Sequence, residues 1–363
     1  MSLSKSKTVL FLLGVLLLAG CASSTVKPAA EAIYWPKPPA PPRFVYVTTL
    51  RSGESIRHTT TVDRFRSALT GAPKESRVFV KPFGIAARKG LVVVTDTVSR
   101  QGFIFNLPRQ KLYLFGRVGK EGVLAKPMGT AIGVDGEIFV ADVTARRVYV
   151  YDAFGMYLRT IGGSEDLDRP VDVAVSPDGK EVFVVDAGGI DSQRHRVVVY
   201  DMQGVKQRVI GRRGEGKGEF NLPTQVATAP DGTVYVLDAG NFRVQAFSAE
   251  GKFLRGWGGA GRDFGDFARP RGLAIDADGN VYVSDAAYRN FQVFNPQGQL
   301  LLPVGGEGLM DEPGQFAMPA GMAVDELGDV YVVDQLFAKV DVIRRLSEKE
   351  MNKIVAERQR EGR

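Results

Sequence analysis

The stretch LPTQVATAPDGTVYVLD, residues 222–238, decides the fold. Asp231-Gly232 marks a tight hairpin turn, where glycine accepts the positive φ that other residues resist. Val234-Tyr235-Val236-Leu237 follows as a strand that is apolar on both faces, the pattern of a sheet packed between two neighbours. Asp238 ends it. Five further segments align with this one: KPFGIAARKGLVVVTD from Lys81, KPMGTAIGVDGEIFVAD from Lys126, RPVDVAVSPDGKEVFVVD from Arg169, RPRGLAIDADGNVYVSD from Arg269 and MPAGMAVDELGDVYVVD from Met318. Their terminal aspartates, Asp96, Asp142, Asp186, Asp238, Asp285 and Asp334, stand 44 to 52 residues apart.

A period of about 45 residues with several short strands per unit is that of a propeller blade. Each copy reads as four strands. A short apolar first strand, such as Gly272 to Ile275, leads through the hairpin turn into the second strand. A third follows, such as Val148 to Tyr151 or Val197 to Tyr200, and turns ending in Gly155, Gly204, Gly251 and Gly298 lead into an outer strand such as Phe253-Leu254-Arg255. The first copy departs from this, because Asn106 to Gln110 holds Pro108 and no glycine. The sixth copy lacks an outer strand and runs into the charged, helical-looking segment Arg344 to Arg363. Residues 43–50 form a lone strand pattern ahead of the first copy. Placed beside Lys339 to Ile343, they complete the sixth blade and remove the exposed edges of an open ring. The expected fold is therefore all-β, a six-bladed β-propeller over residues 43–347. Residues 51–80 form a polar connector with a short helix near Val62 to Leu69, and residues 348–363 form a charged C-terminal tail.

The recurring proline, glycine, Val/Tyr strand, terminal aspartate and following basic residue resemble NHL repeats, over about residues 81 to 347. The fullest match runs from Pro223 to Gly259, with Asp238-Ala239-Gly240-Asn241-Phe242-Arg243-Val244 following the family pattern. The resemblance implies the fold. It leaves function open, because the family includes binding scaffolds and related propellers include enzymes.

At the N-terminus, Lys5 and Lys7 precede an apolar run from Val9 to Ala19 that only Gly14 interrupts, the layout of a secretory signal peptide over residues 1–20. The run is about half of the roughly 20 residues that a helix needs to cross a bilayer. Leu18-Ala19-Gly20-Cys21 resembles the bacterial lipobox. That implies a covalent lipid on the Cys21 sulfur, cleavage before it, and acyl chains that hold the protein to a membrane. An ordinary signal peptide with an incidental cysteine is the alternative. Cys21 is the one cysteine of the chain, so the mature protein can form no internal disulfide. Ala22 is not aspartate, which by resemblance to the sorting rule of double-membraned bacteria implies the outer membrane if the host has two membranes. Residues 21–42 crowd Pro28, Pro36, Pro38, Pro39, Pro41 and Pro42 into a semi-rigid tether that extends about 3.1 Å per residue. Tyr34 and Trp35 within it have two readings: docking onto the folded body, or sitting at the lipid headgroups.

Charge excludes little by itself. The formal net charge of +6 falls to +4 once Lys5 and Lys7 leave with the signal peptide, a mild excess. Export removes nucleic acid as a partner. The repeated aspartate with a basic residue five positions on (Arg147, Arg243, Lys339) has two readings, a structural tie within each blade or a catalytic pair. Repetition around a ring favours the tie.

Residues that vary on this frame are the better candidates for function. Loops between second and third strands share one rim with the interblade crossovers, and there stand Arg100, Arg146, Arg147, Arg194, His195, Arg196, Phe242, Arg243, Tyr288, Arg289 and Phe337. Guanidinium groups interleaved with aromatic rings suit carboxylates, sugars or protein surfaces; solvated loop charges are the plain alternative. The third copy carries a five-residue insertion within Gly188 to His195, the most individual of these loops.

The amidating lyases among related propellers use several histidines around a metal, and His58 and His195 are the only two here, which excludes a three-histidine zinc site. A calcium ion held by oxygen ligands in the central channel, as in propeller lactonases, stays open, although no acidic cluster stands out from the repeat. HExxH, GxSxG and P-loop patterns are absent, as is a CxxCH haem site. The residues thus point to a lipid-anchored module of the cell envelope that binds an envelope protein or glycan, with a metal-assisted lyase or hydrolase as the alternative.

Overall fold

Short valine-rich strands and glycine turns fold residues 82–345, with the earlier segment 44–50, into six antiparallel sheets arranged around one axis. The computed structural model describes residues 32–57, 77–307 and 310–360. Blade four shows the unit: Gln225–Thr228 innermost, then Val234–Asp238, Arg243–Phe247 and, outermost, Phe253–Trp257. The second strands are almost wholly buried, and the outermost strands alternate between half-buried and exposed residues. This gradient follows from position, since a middle strand has a neighbouring blade on each face while an outer strand meets solvent. The inner strands pack against one another around the ring, Pro82–Arg88 of blade one meeting both Pro127–Ile132 of blade two and Pro319–Val324 of blade six.

Closure occurs in blade six. Phe44–Leu50 pairs antiparallel with Lys339–Arg345, with Phe44 opposite Arg345 and Leu50 opposite Val340. Phe44 is 2% exposed and presents its ring edge-on to Tyr282 and Phe291 of blade five, at 6.4 and 6.2 Å. At the other end of the strand, Thr49 Oγ1 donates to Asp341 Oδ1 at 2.5 Å, and the wholly buried Lys339 lies 2.8 Å from the other oxygen of the same carboxylate. Burial pushes the Asp341 carboxyl upward; the Lys339 ammonium and the Thr49 hydroxyl oppose that shift.

Of the two readings of Tyr34 and Trp35, docking onto the body is the one observed. They form a fifth strand on blade six, Tyr34 opposite Val45 and Trp35 opposite Phe44. Trp35 is buried, its ring standing against Gly314, where no side chain would fit, and the Arg358 guanidinium lies 5.2 Å from the centre of the Tyr34 ring. The folded body therefore starts near Ile33 rather than at residue 43. The C-terminal tail is an α-helix over Glu348–Arg360. No described helix is long and apolar enough to cross a membrane.

In blade one the left-handed turn position that glycine fills elsewhere is taken by Gln110, with φ 52°, and the Asn106 side chain braces the turn by accepting from Arg109 N at 3.0 Å. The helix expected near Val62 to Leu69 lies outside the described residues. Phe44→Ala is expected to lower the unfolding free energy by about 3 kcal/mol in urea melts, because it empties a site shared by two blades. A loss below about 1 kcal/mol would place ring closure elsewhere.

Candidate functional site

Each second strand ends on its aspartate, and all six of these side chains have no exposed surface. The Asp285 carboxylate accepts from Ala268 N and Arg269 N of the incoming crossover, at 2.8 and 2.9 Å, and from Ala287 N of its own loop at 2.8 Å. Asp334 repeats the arrangement with Ala317 N, Met318 N, Leu336 N and Phe337 N at 2.7 to 3.1 Å. A buried carboxylate with this many donors is satisfied without a counter-ion. The structural reading of the repeat holds: the aspartate fastens the crossover to the loop between strands two and three, which puts both on one rim.

The basic partners are less regular than their spacing. Arg243 Nε donates to Asp238 at 2.8 Å and Arg196 Nε to Asp186 at 3.2 Å. Arg147 donates instead to the Ala145 carbonyl at 3.0 Å, and Lys339 turns to Asp341. Burial pushes Asp238 upward, against the hydrogen bonds it accepts from Asn221 N, Asn241 and Arg243.

The expected rim residues divide accordingly. Arg100, Arg146 and Arg194 are exposed, and Phe242, Arg289 and Phe337 are half-buried. Arg147, Arg196, Arg243 and Tyr288 are engaged with their own chain, Tyr288 donating to the Gly261 carbonyl. His195 is corrected outright: it has no exposed surface. Leu222 N donates to its Nδ1 at 3.2 Å, so that Nε2 carries the proton and donates to the Gly189 carbonyl at 3.0 Å. This imidazole shapes the inserted loop and is closed to a partner.

Several rim residues escaped the sequence reading. Large apolar side chains stand exposed between the arginines: Val98, Ile190 and Leu336 in loops between strands two and three, and Val80, Val118 and Phe264 in or beside crossovers. Exposed apolar residues carry no periodic signal, so only the fold reveals that they share a face. Inside the ring, a channel of about 180 Å³ is lined by the six inner strands. Asp172 is the one carboxylate of this lining, standing where blades one, two, five and six have glycine. It is 5% exposed, accepts from Val226 N at 2.9 Å, and burial pushes its pKa up to about 8.

A profile of the NHL repeat matches residues 220–247 and 267–294, within and ahead of blades four and five. The chain carries NHL repeats. The human E3 ubiquitin-protein ligase NHLRC1 is 32% identical over 126 residues, 33% of this chain, and the match spans 29% of that relative's length. Among solved structures, a gluconolactonase from Xanthomonas campestris superposes with a TM-score of 0.57 at 17% identity, covering 88% of this chain and 99% of its own. A streptogramin B lyase gives 0.55 at 13%, covering 75% and 96%. A Bacteroides thetaiotaomicron protein of unknown function gives 0.58 at 16%, covering 74% and 71%. At these identities the likeness is one of fold.

Two outcomes follow for this NHL propeller. Asp285→Ala strands several buried N–H groups and is expected to cost about 3 kcal/mol in denaturant melts; an unchanged midpoint would return the aspartate to a functional role. Asp172 stays protonated in the folded protein up to about pH 8, whereas in the unfolded chain it ionises near pH 4. Its contribution to stability therefore falls as pH rises from about 4 to about 8. Asp172→Asn should gain on the parent protein across that window, and parallel stability-versus-pH curves would contradict this.

Proposed function

We propose that this NHL propeller is an extracytoplasmic binding or assembly module, held to the membrane of the cell envelope by a lipid on Cys21, that presents its crossover rim to an envelope protein or glycan. Cys21 lies outside the described residues, and the anchor rests on the lipobox-like tetrad alone. The observation that carries the reading is the composition of the rim. Exposed Val98, Ile190, Phe264 and Leu336 alternate with Arg100, Arg146 and Arg194, and buried aspartates hold the loop backbones that carry Val98, Arg100, Arg146 and Leu336. Apolar surface held rigid in water is costly for a free protein and favourable for a bound one, since little ordering entropy is lost on association.

The second reading, a lyase or hydrolase with a site in the channel, draws on the fold likeness to gluconolactonase and streptogramin B lyase. Calcium takes six to eight oxygen ligands. The side-chain oxygens along the channel come from Thr130, Asp172, Gln225 and Thr228, and the two threonine hydroxyls already donate to the carbonyls of Phe139 and Val175. Among the described residues no group of three or more His, Cys, Asp or Glu could hold a metal ion. The rim supports binding better than the channel supports this chemistry.

A photo-crosslinking residue at Val98, Ile190 or Leu336 should give a discrete adduct in intact cells, and one at Leu327 or Val205 on the opposite rim should not. Equal adducts from both rims, or none from the first, would remove the rim as the contact face. Cys21→Ser should move the protein from the membrane to the soluble extracytoplasmic fraction; an unaltered distribution would contradict lipidation.

A further inference from the structure

A second cavity, of about 340 Å³ and within the range of small-molecule sites, lies at the crossover end of the inner strands. Its wall is apolar at Phe83, Met128 and Val171, each directly after the proline that opens its blade's first strand, and at Leu222, the residue ahead of the proline in blade four. Three guanidinium groups ring it, those of Arg169, Arg269 and Arg271, and no carboxylate lines it.

These arginines have no internal task. Arg169 and Arg269 precede the proline that starts their blade's first strand; their backbone N–H groups bind Asp186 and Asp285, which fixes the main chain and leaves both side chains exposed. Arg271 is half-buried, and its side chain makes neither a hydrogen bond nor an ion pair among the described residues; its guanidinium lies 5.7 Å from the centre of the Phe83 ring. Burial and the like charge of Arg269 together push its pKa down. Most other half-buried arginines meet a carboxylate or a carbonyl, as Arg159 meets Glu137 at 2.6 Å and Arg208 meets Glu181; among the described residues Arg289 and Arg358 share with Arg271 the lack of such an acceptor. A partly desolvated guanidinium with no acceptor costs free energy that an incoming anion returns.

We propose that this cavity is a binding site for a small organic carboxylate with an apolar body. The carboxylate is held by Arg271 with Arg169 and Arg269, and the body lies against Phe83, Met128, Val171 and Leu222. Planar guanidinium groups recognise carboxylate oxygens in pairs, which suits this anion better than a diffuse negative charge. Below the cavity, at Gly84, Gly129, Gly272 and Gly321, a Cβ would strike the neighbouring blade, so the inner strands pack closely on one another there. The site does not rest on the tethered-module reading.

Calorimetric titration of the full-length protein with phenylacetate, acetate and phenethylammonium tests it. Phenylacetate should bind saturably at one site. Acetate, which lacks the body, should bind at least about tenfold more weakly, and phenethylammonium, which reverses the charge, should not bind. Arg271→Gln should weaken phenylacetate at least about tenfold and Arg271→Lys should restore part of the loss, with far-ultraviolet circular dichroism unchanged. Should Arg271→Gln fail to fold, the exposed Arg169→Gln serves instead, with a loss of about threefold or more. Absence of saturable phenylacetate binding, equal binding of acetate or phenethylammonium, or unaltered affinity in the folded glutamine variant would overturn the proposal.

Discussion

The pairing of Phe44–Leu50 with Lys339–Arg345 is the constraint on which the rest of this molecule depends. Five blades are made from continuous chain and pack as neighbours, but a row of five sheets and a three-stranded remnant would leave two faces of buried-type valines in water. One seven-residue strand joins these ends. It is held by backbone hydrogen bonds, by Phe44 set against two aromatic rings of the next blade, and by the buried cluster of Thr49, Asp341 and Lys339. Because the strand comes from the far end of the chain, the ring cannot close until nearly all of it is made. The loop-closure entropy of so distant a pairing is offset by the two blade faces that it brings together.

A closed ring with repeated cross-links separates structural residues from functional ones. The six aspartates recur most faithfully and are occupied with the main chain of the crossovers and, in most blades, of their own loops. Function is left to positions where the repeat lets side chains differ. The residue ahead of the first-strand proline is Lys81, Lys126, Arg169, Leu222, Arg269 or Met318 from blade to blade. Its backbone N–H goes to the aspartate in blades one, two, three, five and six, so its geometry is nearly constant while its side chain is free to change. Asymmetry is thus written onto a symmetric frame at the channel mouth, at no cost to closure.

Blade number, strand boundaries and the closing partner were legible in the sequence because each depends on local chemistry repeated six times: a glycine turn, a valine run, an aspartate. The site was less so. Arg147 and Arg243 hold the same place in the repeat, yet one donates to the Ala145 carbonyl and the other to the Asp238 carboxylate, a difference that spacing alone does not carry. His195 read as an exposed loop residue because its neighbours are polar; the insertion folds back over it and buries the ring. The tether was placed too far along the chain because proline content signals an extended backbone and is silent on whether that backbone finds a strand edge, as Tyr34 and Trp35 do.

Asp172 shows how tightly the inner wall is coupled. Where most blades have glycine two residues after the proline, the inner strands approach so closely that a Cβ would meet a carbonyl of the next blade: Met128 at Gly84, Ala320 at Gly272, Phe83 at Gly321. Blade three breaks the rule, and its carboxyl fits because Gly129 in blade two leaves the space that a side chain there would fill. The acid reaches across to Val226 N of blade four, so one residue touches three blades. A carboxylate in that position would be a buried charge with no cation paired to it; as a neutral acid it can be both packed and hydrogen-bonded. Its place in the seam thus depends on the glycine opposite it, and burial in that seam favours its neutral form.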